Sequence, residues 1–388
     1  MRLLRDPLRL PVPAALALTY ATFYLGLGIQ LPFLPLWLKH QGLTPAEMGF
    51  VMSVPMLTRL VSTPLAGLFS DRLGRPKALL AALSLLTLGG YGALALVPAS
   101  VSAYAVVVGL IAMVWFPGFS LLDAYASRQA RAGRVDYGRA RQWGSGAFLA
   151  ANLVGGLVVG ALGGGSVVLL LLACQGLYLL ATLPLPELPR ALPPPPDAPD
   201  GPGLSGRLAA GIGAVALVQA SHAILYIFST VYWAGLGYSM TVIGLLWATG
   251  VAAEMVLFRR GTALMARLGP QRMIALGGAA AVVRFTALAF DPPLPLLFAL
   301  QMLHGLSFGA TYLGMVQLVA RAVGEHRAST GQAAAAWSVN LVMTGATFAA
   351  GPLWAAFSAG SFLVSAGLGL AGALLALAAQ PQRAGSGG

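Results

Sequence analysis

The chain has 388 residues, of which 58% are hydrophobic and only 9% are charged, and its mean hydropathy is +0.80. Soluble proteins are about 25% charged, so this composition excludes a water-soluble enzyme or binding module. The formal net charge is +12. The basic residues are spread over short polar segments rather than gathered on one face, which argues against a nucleic-acid partner.

Twelve apolar segments long enough to cross a bilayer as helices follow one another along the chain. Breaks at glycine, proline and charge clusters predict helices at 12–38, 45–69, 77–97, 101–126, 140–163 and 165–185, and then at 208–235, 240–260, 272–290, 294–320, 330–357 and 359–379. The segment 187–207 is rich in proline and predicts a cytoplasmic linker. We therefore expect an N-terminal six-helix bundle over 1–186 and a C-terminal six-helix bundle over 208–388.

Arginine and lysine are distributed very unequally between the loops predicted on the two sides of the membrane. The loops of one side hold twenty of them, and the loops of the other side hold only Lys39. Cytoplasmic loops collect basic residues, so both termini are predicted to be cytoplasmic. The excess of arginine over lysine and the high alanine and glycine content are typical of a GC-rich bacterium. The sequence thus predicts a multi-pass protein of the bacterial inner membrane.

The two halves are also related by an internal repeat. Adding 195 to a residue number aligns 36–77 with the second half without a gap, and Gly49 then meets Gly244 while Arg72 meets Arg267. A repeat of six spans in the same sense predicts two pseudo-symmetric bundles.

The loop after the second predicted helix, GLFSDRLGRPK at 67–77, has the pattern G-x-x-x-D-R-x-G-R-x-K. This loop resembles the signature of the major facilitator superfamily. The resemblance implies an all-α membrane protein with twelve transmembrane helices and the major facilitator fold, working by alternating access. It also implies a conformational latch, whose residues would be Gly67, Asp71, Arg72, Gly74 and Arg75. An ordinary positively charged turn is the alternative.

Two further stretches narrow the resemblance. The segment DYGRARQWG, 136–144, is similar to the start of the fifth span in the lactose permease (oligosaccharide:proton symporter) and phenylpropionate permease families. The segment 219–254, together with LQMLHG around His304, is more similar to the phenylpropionate permease branch. The resemblance implies proton-coupled symport of a small organic solute, with an aromatic monocarboxylate such as 3-phenylpropionate as the best match.

Ionisable residues inside the predicted helices are few, and each costs at least about 2.5 to 3.5 kcal/mol at the bilayer centre, so they are expected to be functional. In the lactose permease, an acid in span four and an arginine eighteen residues later bind the sugar. Asp123 and Arg141 keep this spacing, which implies substrate binding, with a structural ion pair as the alternative. Phe148 stands where the permease has the tryptophan that stacks on the sugar.

Further substrate contacts are predicted in spans one and seven. Gln219 and His222 are three residues apart, as are Gln301 and His304, so each pair shares one helix face. Spans one, four, seven and ten line the central cavity of major facilitators, which implies that Gln219, His222 and Tyr24 contact substrate. A hydrogen bond between helices is the alternative for the histidines.

Proton coupling is predicted in the second half. Arg284 and His304 keep the twenty-residue spacing of the arginine and histidine that the lactose permease uses in coupling. Glu254 is the remaining acid inside a predicted span of this half, and we expect it to carry the proton. The cations Arg284 and Arg59, with His304, would tune its proton affinity. A structural ion pair between Arg59 and Glu254 is the alternative.

No residue pattern indicates an enzyme. The four histidines have no metal-ligand spacing, and the chain has no phosphate-binding loop of an ATPase. We therefore expect no cofactor, no metal and no nucleic acid, and a monomer whose partners are the small-molecule substrate, protons and the lipid bilayer. Three alternatives remain open: a sugar or nucleoside proton symporter, a multidrug efflux protein, and a non-transporting membrane sensor.

Overall fold

A computed structural model of the chain describes residues 10–73, 75–188, 206–323 and 328–380, and within them every regular element is a helix. Nine stretches of this described part are long and apolar enough to cross a membrane. The last of these stretches, 331–378, contains two consecutive helices. The described chain is therefore built as a polytopic helical membrane protein.

The first half of the chain forms the predicted helices with small shifts at their ends. These are α1 (Val12–His40), α2 (Pro45–Leu73), α3 (Pro76–Leu96), α4 (Val101–Arg131), α5 (Tyr137–Leu162) and α6 (Val167–Thr182). The helix α4 continues beyond its predicted end, so that Arg128 and Arg131 lie in its last turn. Cations are favourable there because they interact with the negative end of the helix dipole.

In the second half, two of the predicted helices are interrupted. The helices are α7 (Gly206–Ala220), α8 (Ala223–Gly235), α9 (Met240–Leu268), α10 (Pro270–Leu288), α11 (Leu294–Met302), α12 (Thr311–Val323), α13 (Ala328–Phe357) and α14 (Phe362–Ala378). The span predicted at 208–235 turns between α7 and α8, where the Ser221 hydroxyl donates to the Val218 carbonyl at 2.6 Å. Such side-chain bonds compete with the backbone ladder. The span predicted at 294–320 contains a π-helical segment at Gly305–Ala310.

The described helices pack into two compact units. The first unit contains the chain up to Leu188 together with Tyr226–Ala248, and the second contains the chain from α7 to Leu225 and from Thr249 onward. Residues 189–205 lie outside the described part, so the linker at 187–207 and the domain boundaries drawn from it stay predictions.

Small residues allow close helix packing within each unit. In the first unit, a Cβ atom at Gly28 of α1 would lie 2.8 Å from the Phe148 carbonyl oxygen of α5. In the second unit, a Cβ at Gly278 of α10 would lie 2.6 Å from the Gly369 carbonyl oxygen of α14. Because lipid chains are as apolar as leucine, this close van der Waals contact is a main stabilising term between membrane helices.

Candidate functional site

Polar side chains gather at two places, one in each unit. The first-unit cluster consists of Tyr20, Tyr24, Asp123, Tyr137 and Arg141. The second-unit cluster consists of His222, Glu254, Arg284, Gln301, His304 and Ser307. Both clusters contain residues that the sequence predicts to be functional, together with partners that it does not.

The carboxylate of Asp123 is the centre of the first-unit cluster. It accepts a hydrogen bond from Arg141 Nη1 at 3.2 Å. It also accepts bonds from the hydroxyls of Tyr20 at 2.6 Å and Tyr137 at 3.2 Å. The side chains of Arg141 and Asp123 are 37% and 25% exposed, so the ion pair is only partly buried.

The guanidinium of Arg141 is held by two further hydroxyls. Its Nη1 donates to the Tyr137 hydroxyl at 2.9 Å, and its Nη2 donates to the Tyr24 hydroxyl at 3.4 Å. Tyr137 and Arg141 are one turn apart on α5, whose first turn is capped by the Asp136 carboxylate accepting from the Arg139 backbone N–H at 3.0 Å. The cap therefore fixes the register that aims both side chains at Asp123.

An aromatic wall lies beside this cluster, formed by Phe23, Trp115, Phe119 and Tyr178. The rings of Phe23 and Phe119 are stacked with centroids 5.1 Å apart, and the Arg141 guanidinium carbon lies 5.5 Å from the Phe119 ring centroid. A cation next to aromatic faces favours a ligand that carries both charge and a ring. Phe148, predicted to contact substrate, is buried on α5 seven residues after Arg141.

Arg284 is a buried cation of the second-unit cluster, with only 1% of its surface exposed. Its Nη1 donates to His304 Nδ1 at 3.2 Å, and its Nη2 donates to the Gln301 side-chain oxygen. An arginine has no acceptor, so His304 Nδ1 must be the unprotonated nitrogen in this contact. The proton of a neutral His304 ring therefore lies on Nε2.

Glu254 lies on the other side of the His304 ring. Its Oε2 is 3.8 Å from His304 Nε2, which gives the order Arg284, His304, Glu254 across the cluster. The π-helical segment brings these groups together, because Gly305 has no side chain where a Cβ would lie 2.8 Å from the Ala253 carbonyl oxygen of α9. Segments of π-helix are frequent at functional sites for this kind of reason.

His222 is fully buried and lies between α7 and the π-helical segment. Its Nε2 is 3.0 Å from the Ser307 hydroxyl, and its Nδ1 is 3.2 Å from the Val218 carbonyl. A carbonyl can only accept, so Nδ1 carries the proton and Nε2 accepts from Ser307. Gln219 donates to the Phe308 carbonyl at 3.4 Å. The geometry of both side chains is that of bonds between helices, while their predicted contact with substrate stays a prediction.

Arg59 lies on α2 and makes no ion-pair contact with Asp123 in the first-unit cluster. Its guanidinium carbon is 3.9 Å from the centroid of the Phe116 ring of α4, and its Nη1 is 3.9 Å from the Met56 sulfur. Of the five predicted latch residues, Gly67 belongs to α2 and Arg75 is the exposed residue before α3. The side chains of Asp71 and Arg72, and the whole of Gly74, lie outside the described part, so the latch stays a prediction.

Sequence reasoning missed four partners. Tyr20 and Tyr137 bind Asp123, while Gln301 binds Arg284 and Ser307 binds His222. The segment 136–144 contains Tyr137 and the repeated Gln-x-x-His spacing contains Gln301, but neither pattern indicates which side chain these residues bind. No pattern pairs Tyr20 with Asp123 or Ser307 with His222. No three His, Cys, Asp or Glu side chains of the described residues come together as a metal site.

Comparisons with known proteins give consistent results. A family model described as "MFS_1 like family" matches residues 14–191 and 206–364. The chain is 31% identical over 316 residues to a protein of Escherichia coli strain K12 named "Probable 3-phenylpropionic acid transporter", covering 79% of this chain and 81% of that one. It is 27% identical over 341 residues to the maltose permease of Geobacillus stearothermophilus, covering 84% and 85%. The crystal structure of the nucleoside transporter NupG matches with a TM-score of 0.82 at 17% identity, over 95% and 99% of the two chains.

Proposed function

The chain belongs to the MFS_1 like family of the major facilitator superfamily, whose members are secondary transporters and not enzymes, and we propose that it is a proton-coupled symporter of an aromatic monocarboxylate such as 3-phenylpropionate. It is a multi-pass membrane protein that acts on small-molecule substrates. The proposal places it in the bacterial inner membrane, as a monomer with both termini cytoplasmic, working by alternating access with a latch at 67–75.

The first-unit cluster carries the proposal for substrate binding. An aromatic acid requires a cation for its carboxylate and an apolar surface for its ring. The partly exposed Arg141 and the Phe119 ring of the aromatic wall lie side by side, so the first unit places positive charge next to an apolar ring surface. Tyr24 and Tyr137 hold the guanidinium in place, which reduces the entropy lost when a ligand binds.

The second-unit cluster supports the proposal for proton coupling. Glu254 is the acid at its rim, and the neutral His304 ring points its Nε2 proton toward that carboxylate. When Glu254 takes up a proton, the attraction between the carboxylate and the Arg284–His304 pair is lost. Protonation therefore changes how firmly α9 is held to the π-helical segment, which gives a physical link between a proton and a helix position.

A sugar or nucleoside symporter is the second candidate. It is favoured by the similarity to a maltose permease over most of the chain and by three tyrosine hydroxyls that bond to Asp123 or Arg141, since hydroxyl-rich solutes are bound by such groups. Multidrug efflux and a non-transporting sensor are further alternatives. A non-transporting sensor would accumulate no solute. Its function therefore predicts that both Asp123 and Glu254 are dispensable.

The test is uptake of radiolabelled 3-phenylpropionate into oriented vesicles with an imposed inward proton gradient. We expect accumulation that collapses when a protonophore is added. The same vesicles given labelled maltose or uridine provide the comparison with the second candidate. If neither the aromatic acid nor the sugar or nucleoside is taken up above the level of empty vesicles, the symport proposal is rejected and efflux becomes the next candidate.

A further inference from the structure

Arg59 is a cation in the second helix, which the sequence predicts to cross the membrane. It is the middle residue of the 29-residue helix α2. A guanidinium at this depth is costly and is expected to pair with an anion or to line a ligand site. Its surroundings within the first unit therefore show what kind of partner it can take.

The described part of the first unit contains no carboxylate in ion-pair contact with Arg59. Its Nε is buried and makes no hydrogen bond to a described group, and its other contacts are the Phe116 ring and the Met56 sulfur. The two acids of α2, Glu47 and Asp71, are each twelve residues from Arg59 along the helix, which is about 18 Å at 1.5 Å per residue. The guanidinium is thus held by an aromatic face and a sulfur, neither of which neutralises its charge.

Arg141 and Arg284, the arginines of the first-unit and second-unit clusters, differ from Arg59 because each has a polar or charged side chain bound to its guanidinium. Arg141 is neutralised by Asp123 at 3.2 Å, and Arg284 is buried with His304 and Gln301 bound to its nitrogens. Asp123 is in ion-pair contact with Arg141 and not with Arg59, so the positive charge of Arg59 is not neutralised by a described carboxylate of the first unit. A ligand with a single negative charge matches this imbalance.

Phe116, Phe119 and Asp123 form a strip along α4, because residues three and four apart lie on the same helix face. We call this the α4 strip. Arg59 lies over its Phe116 ring, and Arg141 lies near its Phe119 ring and binds its Asp123 carboxylate. The two rings are therefore flanked by one guanidinium at each end, only one of which has a carboxylate partner.

We infer that Arg59, and not Arg141, whose charge Asp123 already neutralises, binds the carboxylate of the substrate, and that the two rings of the α4 strip hold its aromatic group. The inference rests on the proposed function and assigns the charge selection to a residue that sequence reasoning placed in proton coupling. A guanidinium is planar and carries its N–H groups in that plane, in a fork that matches the two oxygens of a carboxylate. The site then selects aryl monocarboxylates against their uncharged amides and against dicarboxylates.

The experiment compares binding of 3-phenylpropionate with binding of 3-phenylpropionamide, which has the same shape and no charge. Affinities are measured by isothermal titration calorimetry on detergent-purified protein, without any proton gradient. In the wild-type chain we expect the acid to bind at least about tenfold more tightly than the amide. In Arg59→Gln we expect the affinity for the acid to fall about 30- to 100-fold and the affinity for the amide to change less than about threefold.

Two variants keep the test interpretable. Arg139→Gln removes the same charge from an 87% exposed side chain of the same unit and should keep the wild-type preference. Arg59→Lys keeps the charge but not the planar fork, so its preference for the acid over the amide should fall about fivefold. This variant tests the inference even if Arg59→Gln does not fold. Thermal unfolding of each purified variant separates loss of binding from loss of folding.

The outcomes separate this inference from the proposed function. If the wild-type chain binds the acid and both Arg59 variants keep its full preference over the amide, Arg59 does not bind the carboxylate and the inference is wrong. If the wild-type chain binds neither compound, the proposed substrate itself is wrong and the assignment of Arg59 fails with it. A matched loss of acid and amide binding in a folded Arg59→Gln protein would also overturn the inference, because charge would not be what Arg59 recognises.

Discussion

The first-unit and second-unit clusters compensate their arginine charges in opposite ways. In the first, Arg141 faces the Asp123 carboxylate directly at 3.2 Å and both side chains are partly exposed. In the second, Arg284 is buried against the neutral His304 and Gln301, and the acid Glu254 touches the histidine from the other side. An exposed, already neutralised pair suits exchange with a solute, whereas a buried cation with an acid one ring away suits a response to protonation.

Replacing Glu254 should give the largest effect and separate the proposed roles of the two clusters most clearly. We expect Glu254→Gln to abolish proton-driven accumulation of substrate, because an amide cannot take up the proton, while exchange of labelled for unlabelled substrate continues. Both activities are measured in the same vesicles. Glu47→Gln is the matched control, since Glu47 is exposed and accepts from the Thr44 hydroxyl at 2.7 Å. Unchanged accumulation in Glu254→Gln would remove the proton-coupling role from this cluster.

The ion pair of the first-unit cluster should behave as a substrate site rather than a coupling site. Asp123→Asn and Arg141→Gln are each expected to lower substrate affinity about 10- to 100-fold, because each leaves one charge without its partner. The double variant restores charge balance and should recover thermal stability but not binding. Recovery of binding in the double variant would indicate a purely structural pair.

The tyrosines around Asp123 should have smaller effects. Tyr20→Phe and Tyr137→Phe each remove one hydroxyl that donates to the carboxylate, at 2.6 and 3.2 Å respectively. We expect KM to rise about three- to tenfold, with the larger rise for Tyr20→Phe, and kcat to change little. Initial rates of uptake at several substrate concentrations measure both constants. A fall in kcat at constant KM would instead link these hydroxyls to the transport step.

The smallest effect is expected where the second-unit cluster joins helices without touching a charge. Ser307→Ala removes the donor to His222 Nε2 at 3.0 Å. We expect a loss of about 1 kcal/mol in stability, seen as a lower thermal unfolding temperature, and transport within about twofold of wild type. A large loss of accumulation without loss of stability would show that His222 takes part in coupling.

Much of the site was predictable from spacing. The eighteen residues between Asp123 and Arg141 and the twenty between Arg284 and His304 identified two pairs that do meet in the structure, each bridging two helices. The repeated Gln-x-x-His spacing predicted equivalent roles for its two copies, but Gln301 binds Arg284 while Gln219 binds a backbone carbonyl. Residue spacing predicts which side chains share a helix face, but the contacts of that face depend on the neighbouring helix.

Hydropathy by itself determined the all-helical membrane character and the order of the helices, and the motif at 67–77 indicated the family through its resemblance to a known signature. Only the tertiary structure decided the turn between α7 and α8, the π-helical segment at Gly305–Ala310, the tyrosines on Asp123 and the stacking of Arg59 on Phe116. The physical reason is that burial in lipid is a property of each segment alone. Polar contacts between helices depend on rotation and distance, which small residues such as Gly305 set across the packing surface.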